Sequence, residues 1–194
     1  MKKVSLKQTN GFCPQALYCY GTYKEDGSAN FALFSWLSYC WNGELQVMAC
    51  IGEDKLTRDR IRATGKFSAC LVTEGLLPAA DYLGHHSGHE PGKMNIPLKI
   101  GKGEALDVPV LADSPWCYEL QVARTLPLEG GGELYLCRIA NILADEVLTD
   151  ESRSLGERMA AVSPVLSSGV DRYFALKPEP VGAWGDWKDL KDPK

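Results

Sequence analysis

"SANFALFSWLSY", residues 28–39, carries the decision about the fold. Read as a strand, it sends Asn30, Ala32, Phe34 and Trp36 to one side and Phe31, Leu33, Ser35 and Leu37 to the other. Neither side reads as a solvent face. A hydroxyl such as that of Ser35, placed at the centre of such a strand, needs a hydrogen-bond partner or costs about 1–3 kcal/mol. That partner is either the protein's own backbone or a bound ligand.

Further runs of the same character surround it. "ALYCYGTY" (16–23), "ELQVMACIG" (44–52) and "FSACLVT" (67–73) are strand-like and are punctuated by turn residues such as Asp26-Gly27 and Asn42-Gly43. "WCYELQVARTL" (116–126) alternates Trp116, Tyr118, Leu120 and Val122 against Glu119 and Gln121, then leads through "EGGGE" into "LYLCRIANILA" (134–144), which predicts a long hairpin. Helices are few and short. "LLPAADYLGHH" (76–86) is expected to begin near Pro78. "ESRSLGERMAAV" (151–162) offers Thr149 or Asp150 as its N-cap. The expected fold class is therefore mainly β, an antiparallel sheet or barrel with a few short helices. The whole chain, 1–194, is expected to form one domain, with an extended tail from about residue 176 whose two tryptophans argue for partial docking.

Composition narrows the function classes. The 194 residues are 45% hydrophobic and 24% charged, enough for a full core. A net charge of −4 without a basic run predicts no nucleic-acid partner. No apolar stretch is long enough for a membrane span, and "MKKVSLKQTNGF" lacks the apolar core of a signal peptide, so a cytoplasmic protein is expected. The seven cysteines form no CxxC pair, and most interrupt apolar runs, where a thiol serves as a small buried hydrophobe.

Two segments carry chemistry. "DKLTRDRIRATG" (54–65) reads as a short helix with Thr57 as N-cap, Gly65 as the C′ residue, and Leu56 and Ile61 spaced as a hydrophobic staple. A helix start with Lys55 beside it suits a phosphate, although the plain alternative is an ordinary capped helix. "GHHSGHEPGKMNIP" (84–97) is a Gly- and His-rich loop running to Lys93. It fails as a P-loop, because Ser87 stands where a glycine belongs and Met94 where a hydroxyl belongs. The Ser-Gly break between His86 and His89 argues against a metal site, and none is expected. An anion-binding loop using Ser87 and Lys93 remains, against the alternative of a solvated surface loop. Neither a dinucleotide fingerprint nor a nucleophile elbow is present.

In order and spacing, "GSANFALFSWLSY", "DKLTRDRIRATGKFSACLV" and "HSGHEPGK" resemble the flavoredoxin and flavin reductase-like family of FMN-binding split barrels. The likeness extends over about residues 14–175 and is strongest between Asn30 and Lys93. It implies a split β-barrel holding FMN at a homodimer interface. Ser35, Lys55, Thr57 and Lys93 would surround the phosphate, and Ser87 of the loop is counted among the cofactor-binding residues. Asn30, with the Phe31 and Ala32 backbone, would approach the isoalloxazine ring, and Trp36 or Cys50 would line the pocket. The implied activity is that of an FMN-dependent oxidoreductase reduced by a nicotinamide dinucleotide. The alternatives are an electron carrier fed by a redox protein partner, and a non-redox binding module on the same barrel.

Overall fold

In the computed structural model, which describes residues 3, 5, 13–52, 54–168 and 172–183, the opening stretch folds as two strands rather than one. They are β3 (Ala29–Phe34) and β4 (Leu37–Trp41), separated by Ser35 and Trp36. Ser35 is thus a hinge residue between strands and not the centre of one. The chain begins with β1 (Gln15–Ala16) and β2 (Tyr18–Tyr23), and after β4 it continues through β5 (Leu45–Ile51), α1 (Leu56–Thr64), β6 (Lys66–Leu71) and α2 (Leu77–His85). A small hairpin, β7 (Ile100–Lys102) and β8 (Pro109–Leu111), precedes the long hairpin β9 (Trp116–Pro127) and β10 (Glu133–Ala144). Last come α3 (Glu146–Thr149), α4 (Leu155–Val162), β11 (Val165–Ser167) and β12 (Tyr173–Ala175).

The main sheet has the order β3-β2-β6-β9-β10-β5-β4, antiparallel at every pairing. Its two edges, β3 and β4, are consecutive in the chain and joined only by Ser35 and Trp36. Laid flat, six strand spacings would hold those edges about 29 Å apart. Two linking residues span at most about 11 Å. The sheet must therefore curl until its edges meet, which makes it a barrel, and the ladder stays open along the β3–β4 seam. The Cys50 N–H donates to the Trp36 carbonyl at 2.9 Å and pins the link to β5.

Closure explains why these strands are apolar on both faces. Inside the barrel lie Tyr20, Val47, Phe67, Leu120 and Tyr135, with Ile61 of α1 packed among them. Outside, Cys19, Phe31, Cys70, Leu83 and Val110 form a second cluster beneath α2 and β8. Four of the seven cysteines, Cys19, Cys70, Cys117 and Cys137, are buried free thiols in these layers. Glu119, on the outer face of β9, is fully buried, and its carboxylate accepts N–H bonds from Glu104, Ala105 and Leu106 and an amide bond from Asn141. No helix among the described residues is long and apolar enough to cross a membrane.

Two helix starts differ from expectation. α1 begins two residues earlier than Thr57 would place it, with Lys55 at the N-cap and Thr57 inside the first turn, because the Thr57 hydroxyl is taken up by Asn30. Gly65 closes α1 as expected, at φ 66°. α4 is capped by Ser154 in a reciprocal box with Glu157, while Thr149 and Asp150 end the separate short helix α3. The tail tryptophans, Trp184 and Trp187, lie outside the described residues.

Candidate functional site

Asn30 anchors the site. It is completely buried in β3, and its Nδ2 donates to the Thr57 hydroxyl at 3.1 Å and to the Thr22 hydroxyl at 3.4 Å, whereas its Oδ1 has no hydrogen-bond partner. Those bonds tie the first turn of α1 to the edge of the sheet. Gly88 packs against the same corner: a Cβ there would lie 2.9 Å from Asn30 Oδ1 and 2.7 Å from Leu56 Cβ. Only a glycine lets the loop after α2 approach this closely.

The loop delivers Lys93 to the same place. Its side chain is 2% exposed, and among the described residues its ammonium makes no hydrogen bond or ion pair. Burial lowers its pKa to about 8, and Lys55 and Lys24 push in the same direction. A buried cation is costly unless something supplies its counter-charge.

Around these groups lies a polar pocket of about 230 Å³, lined by Ala32, Lys55, Thr57, Ser87, Gly88 and Lys93 among others. It adjoins a larger, more apolar cleft of about 540 Å³. Leu33, Phe34, Lys55, Gly84 and His85 line both, so the two are compartments of one groove. Ser35, Trp36 and Cys50 line the apolar part, where burial pushes the Cys50 thiol up from its ordinary value. Trp36 is 55% exposed and Ser35 makes no side-chain hydrogen bond among the described residues.

The geometry sorts the expected site residues. Lys55, Thr57, Ser87 and Lys93 come together at the polar end, with Ala32 in its wall. Ser35 belongs with Trp36 and Cys50 at the apolar end, away from those four. Asn30 stands behind the polar pocket, and the Phe31 ring points into the outer core. His85 and His86 turn their Nδ1 atoms to the Asp81 and Tyr82 carbonyls, each at 2.9 Å, as caps for the end of α2. Asp54, Asp59 and His89 are the one group among the described residues spaced for a metal ion. A cation there would displace the Arg58 guanidinium, 3.1 Å from Asp59 and 3.5 Å from Asp54. The apolar wall also contains Leu17, Ser167 and Tyr173, which no local pattern marks. They reach it only because β1, β11 and β12 form a small sheet beside the seam.

Comparison with known proteins agrees with this architecture. No curated protein matches the sequence. The fold is shared with flavoredoxin from Methanosarcina acetivorans at TM-score 0.84 and 18% identity, covering 98% of this chain and 100% of that one. Flavoredoxin of Desulfovibrio vulgaris (Miyazaki F) superposes at 0.82 with 24% identity, covering 95% and 98%. An FMN-binding protein from Thermus thermophilus does so at 0.75 with 20% identity, covering 94% and 98%. At the level of sequence, the model of the flavin reductase like domain matches residues 10–164, from before β1 to the end of α4. The fold is thus that of a known group, and this chain belongs to the flavin reductase-like family.

Proposed function

We propose that the chain binds FMN in this groove as a single-domain oxidoreductase, reduced by a nicotinamide dinucleotide. The observation that carries the reading is the buried Lys93, without a hydrogen bond or ion pair at its ammonium among the described residues, in the polar pocket at the start of α1. A phosphate supplies the missing counter-charge for Lys93, accepts from Lys55, Ser87 and the free N–H groups of the helix start, and is favoured by the helix dipole. The adjoining compartment, walled by Leu17, Leu33, Phe34 and Trp36, suits a flat apolar ring system.

FMN, when bound, supplies the redox chemistry, taking a hydride from reduced nicotinamide and giving electrons to an acceptor. The chain's own part is to hold the phosphate at one end, keep the ring in an apolar channel, and leave one side open to a second ligand. We also propose a homodimer, with a second copy covering the aromatic edge where Trp36, Tyr39 and Trp41 are 55, 51 and 77% exposed.

Titration with FMN and riboflavin, followed by anaerobic addition of NADH or NADPH, tests the reading. FMN should bind at least about tenfold more tightly, the difference of one charge-assisted contact. Either nicotinamide should bleach the bound flavin, and sedimentation should give two copies. Equal affinities would remove the phosphate assignment. Bleaching by dithionite but by neither nicotinamide would favour an electron carrier fed by a redox protein.

A further inference from the structure

Away from the groove, two free thiols stand side by side on the outer face of the sheet. Cys70 of β6 and Cys117 of β9 are directly opposite in register. The Val122 N–H donates to the Gly65 carbonyl at 2.8 Å, which makes 65 and 122 a hydrogen-bonded pair, and alternation along the ladder then makes 70 and 117 a non-hydrogen-bonded one. At such a pair the side chains come closest, with Cα atoms about 4.5 Å apart, inside the range that a disulfide spans. Leu111 holds both sulfurs: its N–H donates to Cys70 Sγ at 3.3 Å, and its carbonyl lies 3.7 Å from Cys117 Sγ. By the same alternation, counted from the Val72 N–H on the Leu17 carbonyl, Cys19 faces Cys70 across a hydrogen-bonded and therefore wider pair. The two close thiols differ in surroundings. A pocket of about 140 Å³ is lined by Cys117, with Ala112, Ala144 and Asp145 at its exposed rim, whereas Cys70 is fully buried. The pocket opens to solvent and has room for a molecule little larger than water. A hydrogen bond from the Cys70 thiol holds Cys117 below the ordinary thiol value in spite of its burial, while burial, with that bond, pushes Cys70 well up. Cys117 is thus the nucleophile of the pair.

We propose that Cys117 and Cys70 form an oxidisable pair, in which a peroxide entering this pocket oxidises Cys117 and Cys70 then closes a disulfide. The Cys117 thiolate attacks one peroxide oxygen, the O–O bond breaks, and hydroxide leaves and takes up a proton as water. The sulfur has lost two electrons and is a sulfenic acid. Cys70 attacks that sulfur, the S–S bond forms, and the S–O bond breaks with the oxygen leaving as a second water. Two thiols and one peroxide thereby become one disulfide and two waters. Reduced flavin yields peroxide with oxygen, so the proposed activity would supply the oxidant, although the pair itself does not depend on FMN.

The test treats the full chain, reduced and folded, with added hydrogen peroxide, blocks the remaining thiols and maps the peptides by mass. Of the buried cysteines, Cys70 and Cys117 should be recovered as one linked pair lighter by two hydrogens, with Cys19 and Cys137 still blocked as thiols. In Cys70→Ser the reaction should stop at its first step, and dimedone should label Cys117 as the sulfenic acid. In Cys117→Ser dimedone should leave Cys70 unlabelled. Circular dichroism separates loss of fold in either variant from loss of chemistry, and the linkage in the unsubstituted chain needs neither variant. Absence of the Cys70–Cys117 link in the folded chain, at peroxide that oxidises the exposed Cys13, overturns the inference. A Cys19–Cys70 link in its place, or a link that forms only in urea, overturns it as well. Every arm is read without flavin, so failure here leaves the FMN reading standing, and failure to bind FMN leaves the thiol pair standing.

Discussion

Lys93 is the residue whose physical state bears most on function, because its position destabilises the ligand-free protein. A drop from 10.5 to about 8 amounts to about 3 kcal/mol at 1.36 kcal/mol per unit. Below pH 8 the lysine is charged both folded and unfolded, and its burial cost is present in full. Between about 8 and 10.5 the unfolded chain holds a proton that the folded chain has released, so stability without ligand rises with pH in that window. Affinity for an anionic phosphate runs the other way, falling by up to about tenfold per unit above pH 8 as the cation is lost. Lys93→Met should therefore stabilise the ligand-free protein by roughly 1–3 kcal/mol in urea unfolding while weakening FMN at least about tenfold. A destabilised variant with intact FMN affinity would make Lys93 a structural residue.

That Lys93, Ser87, Lys55 and Thr57 line one pocket was foreshadowed in the sequence by two segments of suitable residue types, a helix start and a glycine-rich loop. The role of Thr57 was not, since its bond to Asn30 joins residues 27 positions apart. Leu17 and Tyr173 were invisible for the same reason, their place in the groove being fixed by pairing with distant strands.

At the scale of elements, the long hairpin read well because Trp116, Tyr118, Leu120 and Val122 alternate with Glu119 and Gln121 and its turn carries three glycines, Gly131 among them at φ 81°. The β3–β4 break did not read, since Ser35 and Trp36 fit a strand locally and only the meeting of two sheet edges separates them. The Ser154–Glu157 box that starts α4 is present in the letters, but Thr149 and Asp150 offer rival caps that α3 uses instead. Glu119 illustrates how one strand position can hold a loop. Burial alone would raise its pKa, but the Asn141 amide and the N–H groups of Leu106, Glu104 and Ala105 outweigh that and hold it below the ordinary value. Its contribution to stability is full above the unfolded glutamate pKa, about 4.3, and is lost as pH falls from there through the lower native value. Glu119→Gln should cost roughly 2–4 kcal/mol at pH 7, since it weakens several charge-assisted bonds and sets an amide N–H against backbone donors. It should also flatten the acid limb of a stability–pH curve. Wild-type stability at pH 7 in the variant would mean that the 104–106 loop is held by something else.

For the molecule as a whole, the sequence pointed to a sheet covered on both faces, and closure satisfies that with one face inside the barrel and the other under α2 and β8. The order of strands was not readable, because pairings such as β2 with β6 and β6 with β9 depend on the complete set and not on any one segment. The aromatic edge at Trp36, Tyr39 and Trp41 remains uncovered in a single copy, which is why the proposed assembly belongs to this scale.

The two-residue link at Ser35 and Trp36 also bears on the order of events in time. Local hairpins such as β9–β10 can form early, but joining the edges of the sheet requires pairings far apart in sequence, and such closures come late and slowly. The groove draws on residues from Leu17 to Tyr173, so it exists only after that last event. A ligand that binds only the closed form can slow its opening but has nothing to grip during its making. Stopped-flow measurements should accordingly find the refolding rate the same with and without FMN, and the unfolding rate reduced as FMN concentration rises. Refolding accelerated by FMN would mean that the groove is assembled before the barrel shuts.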